Sequence, residues 1–395
     1  MDWIDRYMEY TDGIPSPEIF RLWSGISTLA GALERRVWIS TSRSVLFPNL
    51  FVLLVAPPAV GKSQAIVNVS ELWYATKKFK IAPDNVTKAS LIDALDAADG
   101  KRIAPGGALI EYHSLLTASS EFGVLVPAHD LEFLSVLNHI YDNPRTYREN
   151  RRSLNKNIEI VNPQLNIIAG TQPGFLASLL PEEAWSMGFT SRIIMVYSAM
   201  PIVVSLFKKQ DSREHLFKAL TAELVHFSNV MGEAQWDEDA QQELERWAQG
   251  GCEPIPTHSK LQHYTGRRIL HVLKLSLISA ISRSSTPHIT LWDVNRARDW
   301  LLHAEILMPD IFRDMSLKSD SQVILELHWF MWQLWLKTKK PIHEGRAIHF
   351  LQQRLPAEKV ERVLDIAVKS GILKKTDSAV GPAYEPRPSH EHGAE

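Results

Sequence analysis

Asn49-Leu-Phe-Val-Leu-Leu-Val-Ala-Pro-Pro-Ala-Val-Gly-Lys-Ser-Gln-Ala-Ile66 sets the frame for the whole chain. Asn49 to Val55 reads as a parallel-sheet strand buried on both faces. Pro57-Pro58 stiffens the loop that follows, and Ser63 to Tyr74 reads as a helix. A buried strand, a tight loop and a helix N-terminus together aim backbone N–H groups at an anion. On this reading Ala56, Pro57, Pro58, Ala59, Val60, Gly61, Lys62, Ser63 and Gln64 form a cradle for the phosphates of ATP. Lys62 reaches the β- and γ-phosphates, and the Ser63 hydroxyl sits on Mg²⁺. The stretch fits G-x-x-x-x-G-K-[ST] except at its first position, where Ala56 stands at a place that often needs the φ of a glycine.

Outward from this core, strand candidates at 49–55, 106–111, 115–119, 164–169 and 192–198 alternate with helical segments. That alternation predicts an α/β P-loop NTPase core over 46–205, a parallel sheet with helices on both faces. Residues 1–45 read as a helical segment, with Ser16-Pro17-Glu18 as a start signal, and end in a short strand at 36–40. From 206 to 318 helical periodicity dominates, predicting an all-α lid lobe. Residues 319–388 read as helix, helix, helix and then a two-stranded wing, the order of a winged-helix-like domain. The Pro/His/Glu-rich end reads as a disordered tail over 389–395.

Composition narrows the function classes. The chain has 395 residues, 45% of them hydrophobic, and a formal charge of −2, so nucleic-acid contact must come from local patches rather than the global field. Its one cysteine, Cys252, leaves no internal disulfide or cysteine-based zinc site and fits a reducing compartment. The start, Met1-Asp2-Trp3-Ile4, lacks the basic and apolar regions of a signal peptide, and no apolar run reaches membrane-spanning length. A cytoplasmic location without a membrane partner is the expectation.

Hydrolysis needs a group that activates water. Glu121, at the polar end of the strand Ser114-Leu-Leu-Thr-Ala-Ser119, is placed for that role at the C-terminal edge of a parallel sheet, with Glu111 as second choice. Ser120 stands where an Asp-Glu pair would have its Asp, and would order the metal's water shell only by hydrogen bonding. Thr171 and Gln172, ending the strand from Gln164, are placed to sense the γ-phosphate. Arg192, after Gly188-Phe-Thr-Ser, fits either an arginine finger reaching a neighbouring subunit's nucleotide or an intramolecular ion pair. Arg267 and Arg268 open a long helix, and one of the two reads as a lid residue at the nucleotide; His271 reads as a structural histidine.

A cationic run, Arg145-Thr-Tyr-Arg148-Glu-Asn-Arg151-Arg152-Ser-Leu-Asn-Lys156, reads as a loop or hairpin. It fits backbone contact with single-stranded nucleic acid in a ring pore, or equally a solvated charge run. In the C-terminal segment Arg354, Lys359, Arg362 and Lys369 are the cations available to a duplex.

The stretch from Trp23 to Tyr197 resembles the phage and mobile-element replicative helicase family, P-loop ATPases often fused behind a primase. The echoes are Phe47-Pro48-Asn49-Leu50, Ser120-Glu121-Phe122, Ile140-Tyr141-Asp142, Asn162-Pro163 leading to Gly170-Thr171-Gln172-Pro173, and Gly188-Phe189-Thr190-Ser191-Arg192. This resemblance implies a RecA/AAA+-like ATPase acting as a hexameric ring on DNA, in the host cytoplasm if phage-encoded, with a primase or other replication proteins as partners. Ala56 and Ser120 depart from the family's pattern. Priming activity does not carry over. The expectation is an ATP-dependent DNA helicase or translocase. The alternative is a nucleotide-switched replication initiator or helicase loader binding DNA through the winged helix, and a third reading is an ATPase subunit of a defence or packaging machine.

Overall fold

A computed structural model describes residues 2–103, 106–151, 156–180, 188–205, 207, 213–256, 258–352, 355, 357–378 and 381–387. The chain forms two compact units, Met1–Phe312 and Arg313–Glu395.

The first unit is mixed α/β, built on a five-stranded sheet. Nine strands matter here: β1 (Val37–Ser40), β2 (Val45–Leu46), β3 (Phe51–Val55), β4 (Asp99–Ile103), β5 (Leu109–Ser119), β6 (Thr146–Arg151), β7 (Lys156–Val161), β8 (Pro163–Thr171) and β9 (Ile193–Tyr197). The sheet order is β4-β5-β8-β3-β9. All neighbours are parallel except the β4 edge, which runs antiparallel to β5. β3 and β9 are buried along their full length, as is nine-residue β8. Burying the five side chains of β3 contributes on the order of 10 kcal/mol as an upper bound.

Three helices frame the N-terminal half: α1 (Trp3–Tyr10), α2 (Glu18–Leu33) and α3 (Lys62–Thr76). Close packing fixes α2 on α3. A Cβ on Gly31 would lie 2.8 Å from the Trp73 ring and from Leu116 of β5, and Trp73 Nε1 donates to Thr28 O at 3.0 Å. The N-terminal helices and the helical region beyond β9 belong to the same unit for visible reasons. Asp2 pairs with Arg296 at 2.6 Å, Trp3 Nε1 donates to Leu220 O, and Lys274 reaches Asn49 from the helix Arg268–Ser284.

Several expected elements take a different form. The strands expected at 106–111 and 115–119 are one strand, β5. The region expected to be purely helical carries two-residue strands at Gly232–Glu233, Gln235–Trp236 and His288–Ile289, of which the first pairs with β1. The cationic run forms an antiparallel hairpin, β6 with β7.

In the second unit, the later part of the helix Met308–Thr338 is followed by the strand Ile342–His343, the helices Glu344–Gln352 and Ala357–Lys369, and the hairpin Leu373–Ser378 with Gly381–Pro386. The C-terminal strand lies in the middle of this three-stranded antiparallel sheet. Leu327, Met331, Leu351, Val363, Ala367 and Leu373 form its core. Among the described residues, no helix is long and apolar enough to cross a membrane.

Candidate functional site

Strand register assembles the site at one edge of the sheet. Val55, the last residue of β3, pairs with Thr171 at the end of β8, and Ser119 of β5 pairs with Ala169. Thr171 therefore sits between the β3 loop and Glu121. Neighbouring strands lie about 4.8 Å apart, which puts the backbone of Glu121 roughly 10 Å from the end of β3, within reach of one substrate group held between them. The contact is tight: a Cβ on Gly170 would come within 2.5 Å of Ser120 O.

The loop from Ala56 to Gly61 leads into α3, with Gly61 as its N-cap. Ala56 is buried and its N–H donates to Thr171 O at 3.2 Å, continuing the sheet. Positive φ falls instead at Ala59 (62°) and Gly61 (88°), so no glycine is needed at position 56. Lys62 is buried, and its Nζ donates to Ala56 O at 2.9 Å and Pro57 O at 3.0 Å, folding the cation over the loop. Ser63 and Gln64 are exposed on the first turn of α3. Gly61 touches the N-terminal segment: a Cβ there would lie 2.0 Å from Pro15 O and 2.8 Å from Ser16 Cα.

Two buried hydroxyls flank this loop without a hydrogen-bond partner among the described residues, Thr171 Oγ1 and Ser16 Oγ. Thr171 is 1% exposed. Leaving such a hydroxyl unpaired is costly, so each calls for a partner oxygen, from a water or from a ligand. Glu121 is exposed and lines a cavity of about 480 Å³ with Ser120, Ser70, Glu71, Tyr74 and Asp84. Glu111 lies elsewhere, paired with Lys101 across the β4–β5 edge. Gln172 caps the helix Pro173–Leu179 with its backbone. Among the described residues, no group of three His, Cys, Asp or Glu is arranged to hold a metal ion.

The expected arginines gather elsewhere. Arg192 immediately precedes β9, whose first residue Ile193 pairs with Phe51, so it lies at the opposite edge of the sheet from Lys62. Five strand residues separate those edges, roughly 17 Å. Arg192 grips Asp142 with Nε (3.2 Å) and Nη2 (2.5 Å) and donates from Nη1 to Gly188 O. Arg267 donates to the same carboxylate at 3.0 Å. Burial raises the Asp142 pKa, but the two guanidiniums outweigh it and hold the carboxyl below its usual range. The expectation of Arg267 as a lid residue over its own nucleotide is thereby corrected, because it joins Arg192 at the far edge. The same expectation for Arg268 is corrected too. Its guanidinium is fully buried and engaged on all three nitrogens by Glu305, Cys252 O and Pro254 O. His271 is structural as expected: buried, with Nε2–H donating to Ser191 O at 3.1 Å, and held neutral because burial pushes its pKa to about 3.

Behind the arginine pair lies a buried network that sequence reading missed. Lys274 Nζ donates to Asn49 O and Oδ1, both at 2.9 Å, and stands 4.0 Å over the Tyr141 ring. Asn49 in turn donates to Tyr141 O. A lone Lys and Asn on apolar stretches carry no local signal of each other. Asp142 was visible in Ile140-Tyr141-Asp142, but only the fold shows its two partners.

The β6–β7 hairpin grows from the edge that carries Asp142 and passes through Asn162 directly into β8. Between 145 and 161 it holds five cations and two carboxylates. Arg145 is exposed. Arg148 is exposed and pairs with Glu159 at 2.9 Å. Arg151 is no free cation: it is nearly buried against Glu149 and Asp93 and donates to Ala89 O, pinning the hairpin to the helix Lys88–Asp96. Its expected role on nucleic acid is corrected accordingly. Arg152 lies outside the described residues, and Lys156 opens β7. In the second unit Arg354 lies outside the described residues. Arg362 is exposed, Lys359 is partly buried and Lys369 pairs with Asp365 at 2.7 Å. No protein-family model and no curated protein matches the chain.

Proposed function

We infer that the protein is an ATP-driven motor on single-stranded DNA, a helicase or translocase working as a ring of identical subunits. The observation that carries this reading is the order β3-β8-β5 at one sheet edge, which lines up Lys62, the orphan hydroxyl of Thr171 and Glu121. ATP supplies the transferable phosphoryl group. Lys62 leaves its loop carbonyls for the β- and γ-phosphates, the first-turn N–H groups of α3 hold the phosphate oxygens, and Ser63 accepts Mg²⁺ that arrives with the nucleotide. Glu121 receives the proton of the attacking water, and Thr171 with Gln172 registers whether the γ-phosphate is present. β8 then links that sensor to the hairpin at its other end, so a shift at Thr171 is carried to Arg145 and Arg148 by a rigid, buried strand. Arg192, too far to serve its own site, serves a neighbour's; Asp142 holds it and Arg267 poised.

A second reading, an initiator or loader gripping duplex DNA, rests on the helix and hairpin order of the second unit. The exposed face of Ala357–Lys369 runs Glu361, Arg362, Asp365, Lys369, alternating in sign. That is a poor phosphate footprint, and the hairpin is preferred.

Nucleotide binding and turnover in variants test the inference. Lys62→Ala should lose most affinity and all turnover, whereas Glu121→Gln should bind ATP and lose at least roughly 10²-fold in rate. Arg192→Ala should keep affinity, lose about 10³-fold in rate, and restore hydrolysis when mixed with Lys62→Ala subunits. Turnover in Lys62→Ala at the wild-type rate would refute the site.

A further inference from the structure

The tryptophan-rich helix of the second unit is apolar on two opposite faces, and only one is covered. Val323, Ile324, Leu327 and Met331 enter the core of the unit. On the other side Leu325 and Trp329 are each 63% exposed, Trp332 is partly exposed and Leu336 is 43% exposed. At 100° per residue these four fall within an arc of roughly 60°, one continuous stripe. A helix apolar all round belongs in an interior, and among the described residues Leu325, Trp329 and Leu336 keep large exposed surfaces.

Spacing and residue type say which partner. The stripe steps by four, three and four, the seam of a left-handed helix pair. It also reads the same in both directions: Leu, Trp, Trp, Leu. A two-fold interface uses one patch on both copies, so that residue i meets j and j meets i. Two antiparallel copies would set Leu325 against Leu336 and Trp329 against Trp332, twice over, with the Glu326 end of one stripe beside the Lys337 end of the other. From 325 to 336 the chain has no Lys or Arg, and the nearby cations Lys337, Lys339 and Lys340 gather at one end of the stripe instead of running along it, a poor match to a nucleic-acid backbone.

We propose that this stripe is a two-fold, antiparallel interface that joins two copies of the chain through their C-terminal units. Trp329 is 63% exposed and Trp332 is only partly exposed, so together they have well under the roughly 300–500 Å² of two fully exposed rings left to bury per copy. Even with the leucines this is below the roughly 800 Å² per partner of a standard interface, so pairing depends on concentration. It is a different contact from the head-to-tail one a ring requires, and it stands whether or not the chain hydrolyses ATP.

The test uses the full-length chain with Cys252→Ser as background. Under oxidation, chains with Leu325→Cys alone or Leu336→Cys alone should stay unlinked, because like positions lie about 16 Å apart in an antiparallel pair. A mixture of the two should give disulfide-linked dimers. Trp329→Glu, on the exposed face, should keep the helical circular-dichroism spectrum and halve the particle mass measured by light scattering at equal concentration. Self-linking of Leu325→Cys, absence of links in the mixture, or an unchanged mass for Trp329→Glu would overturn the proposal.

Discussion

Gly61 is the residue on which the loop between β3 and α3 turns, for two separate reasons. Its φ of 88° suits a residue without a Cβ, and the carbonyl of Pro15 occupies the space a Cβ would need. Strain of about 1–2 kcal/mol from the left-handed backbone and about 1–3 kcal/mol from overpacking should add, so Gly61→Ala should cost roughly 2–5 kcal/mol. Ala59, at φ 62°, has only the first problem. Ala59→Gly should therefore hold or raise stability by up to about 1 kcal/mol. Urea melts of both variants check this, and equal losses would show that backbone strain is not the cause. Sequence placed the loop correctly but misjudged its strained position, because φ is fixed by packing around the loop and not by the motif. Lys274 makes a second residue-scale prediction. Burial pushes it down to about 7, with the Asp142 charge only partly opposing. Between pH 7 and about 10.5 the unfolded chain keeps a proton that the folded chain has released, so this group makes stability rise with pH across that window, by an amount on the order of a few kcal/mol. Below pH 7 its penalty is full and constant. Lys274→Met should flatten the rise; parallel pH profiles for variant and wild type would disprove it.

Among the elements, the hairpin separates a structural arginine from two available ones. Arg151 pins it to the helix Lys88–Asp96, whereas Arg145 and Arg148 face solvent, and the exposed Arg148–Glu159 pair is weak enough to be exchanged for a phosphate. Arg145→Ala with Arg148→Ala should preserve the melting temperature, weaken single-strand binding and reduce its salt slope by about 1.4. Arg151→Ala should instead destabilise the protein, because it removes the ties that hold the hairpin to Asp93 and Ala89 O. If the double variant binds with an unchanged slope, DNA is held elsewhere. Elements with apolar runs, β3, β8 and β9, were legible in the chain to within two residues. β4, Asp99-Gly-Lys-Arg-Ile103, was not, since an edge strand with alternating exposure and an internal glycine carries no apolar signal. The union of two expected strands in β5 has the same origin: its first half pairs with that unseen edge.

At the scale of the molecule, the sheet puts Lys62, Thr171 and Glu121 at one edge and the pair Arg192 and Arg267 at the opposite one; on the proposed reading a catalytic site would be completed only between copies. Sequence reading named residues at both edges but put Arg267 at the nucleotide, because the edge each occupies depends on strand register and on Asp142, which brings together positions 142, 192 and 267. Such long-range pairing has no local pattern to read. A motor built this way should turn over slowly alone and faster when a strand passes its hairpins. The most direct measurement is the steady-state rate of Mg²⁺-dependent ATP hydrolysis by the full-length chain with and without single-stranded DNA. A DNA-driven motor should show a rate that rises severalfold with DNA, vanishes in Lys62→Ala and loses its DNA response when Arg145 and Arg148 become alanine. A wild-type chain that neither binds nor hydrolyses ATP, or one whose hydrolysis ignores DNA, would contradict that reading.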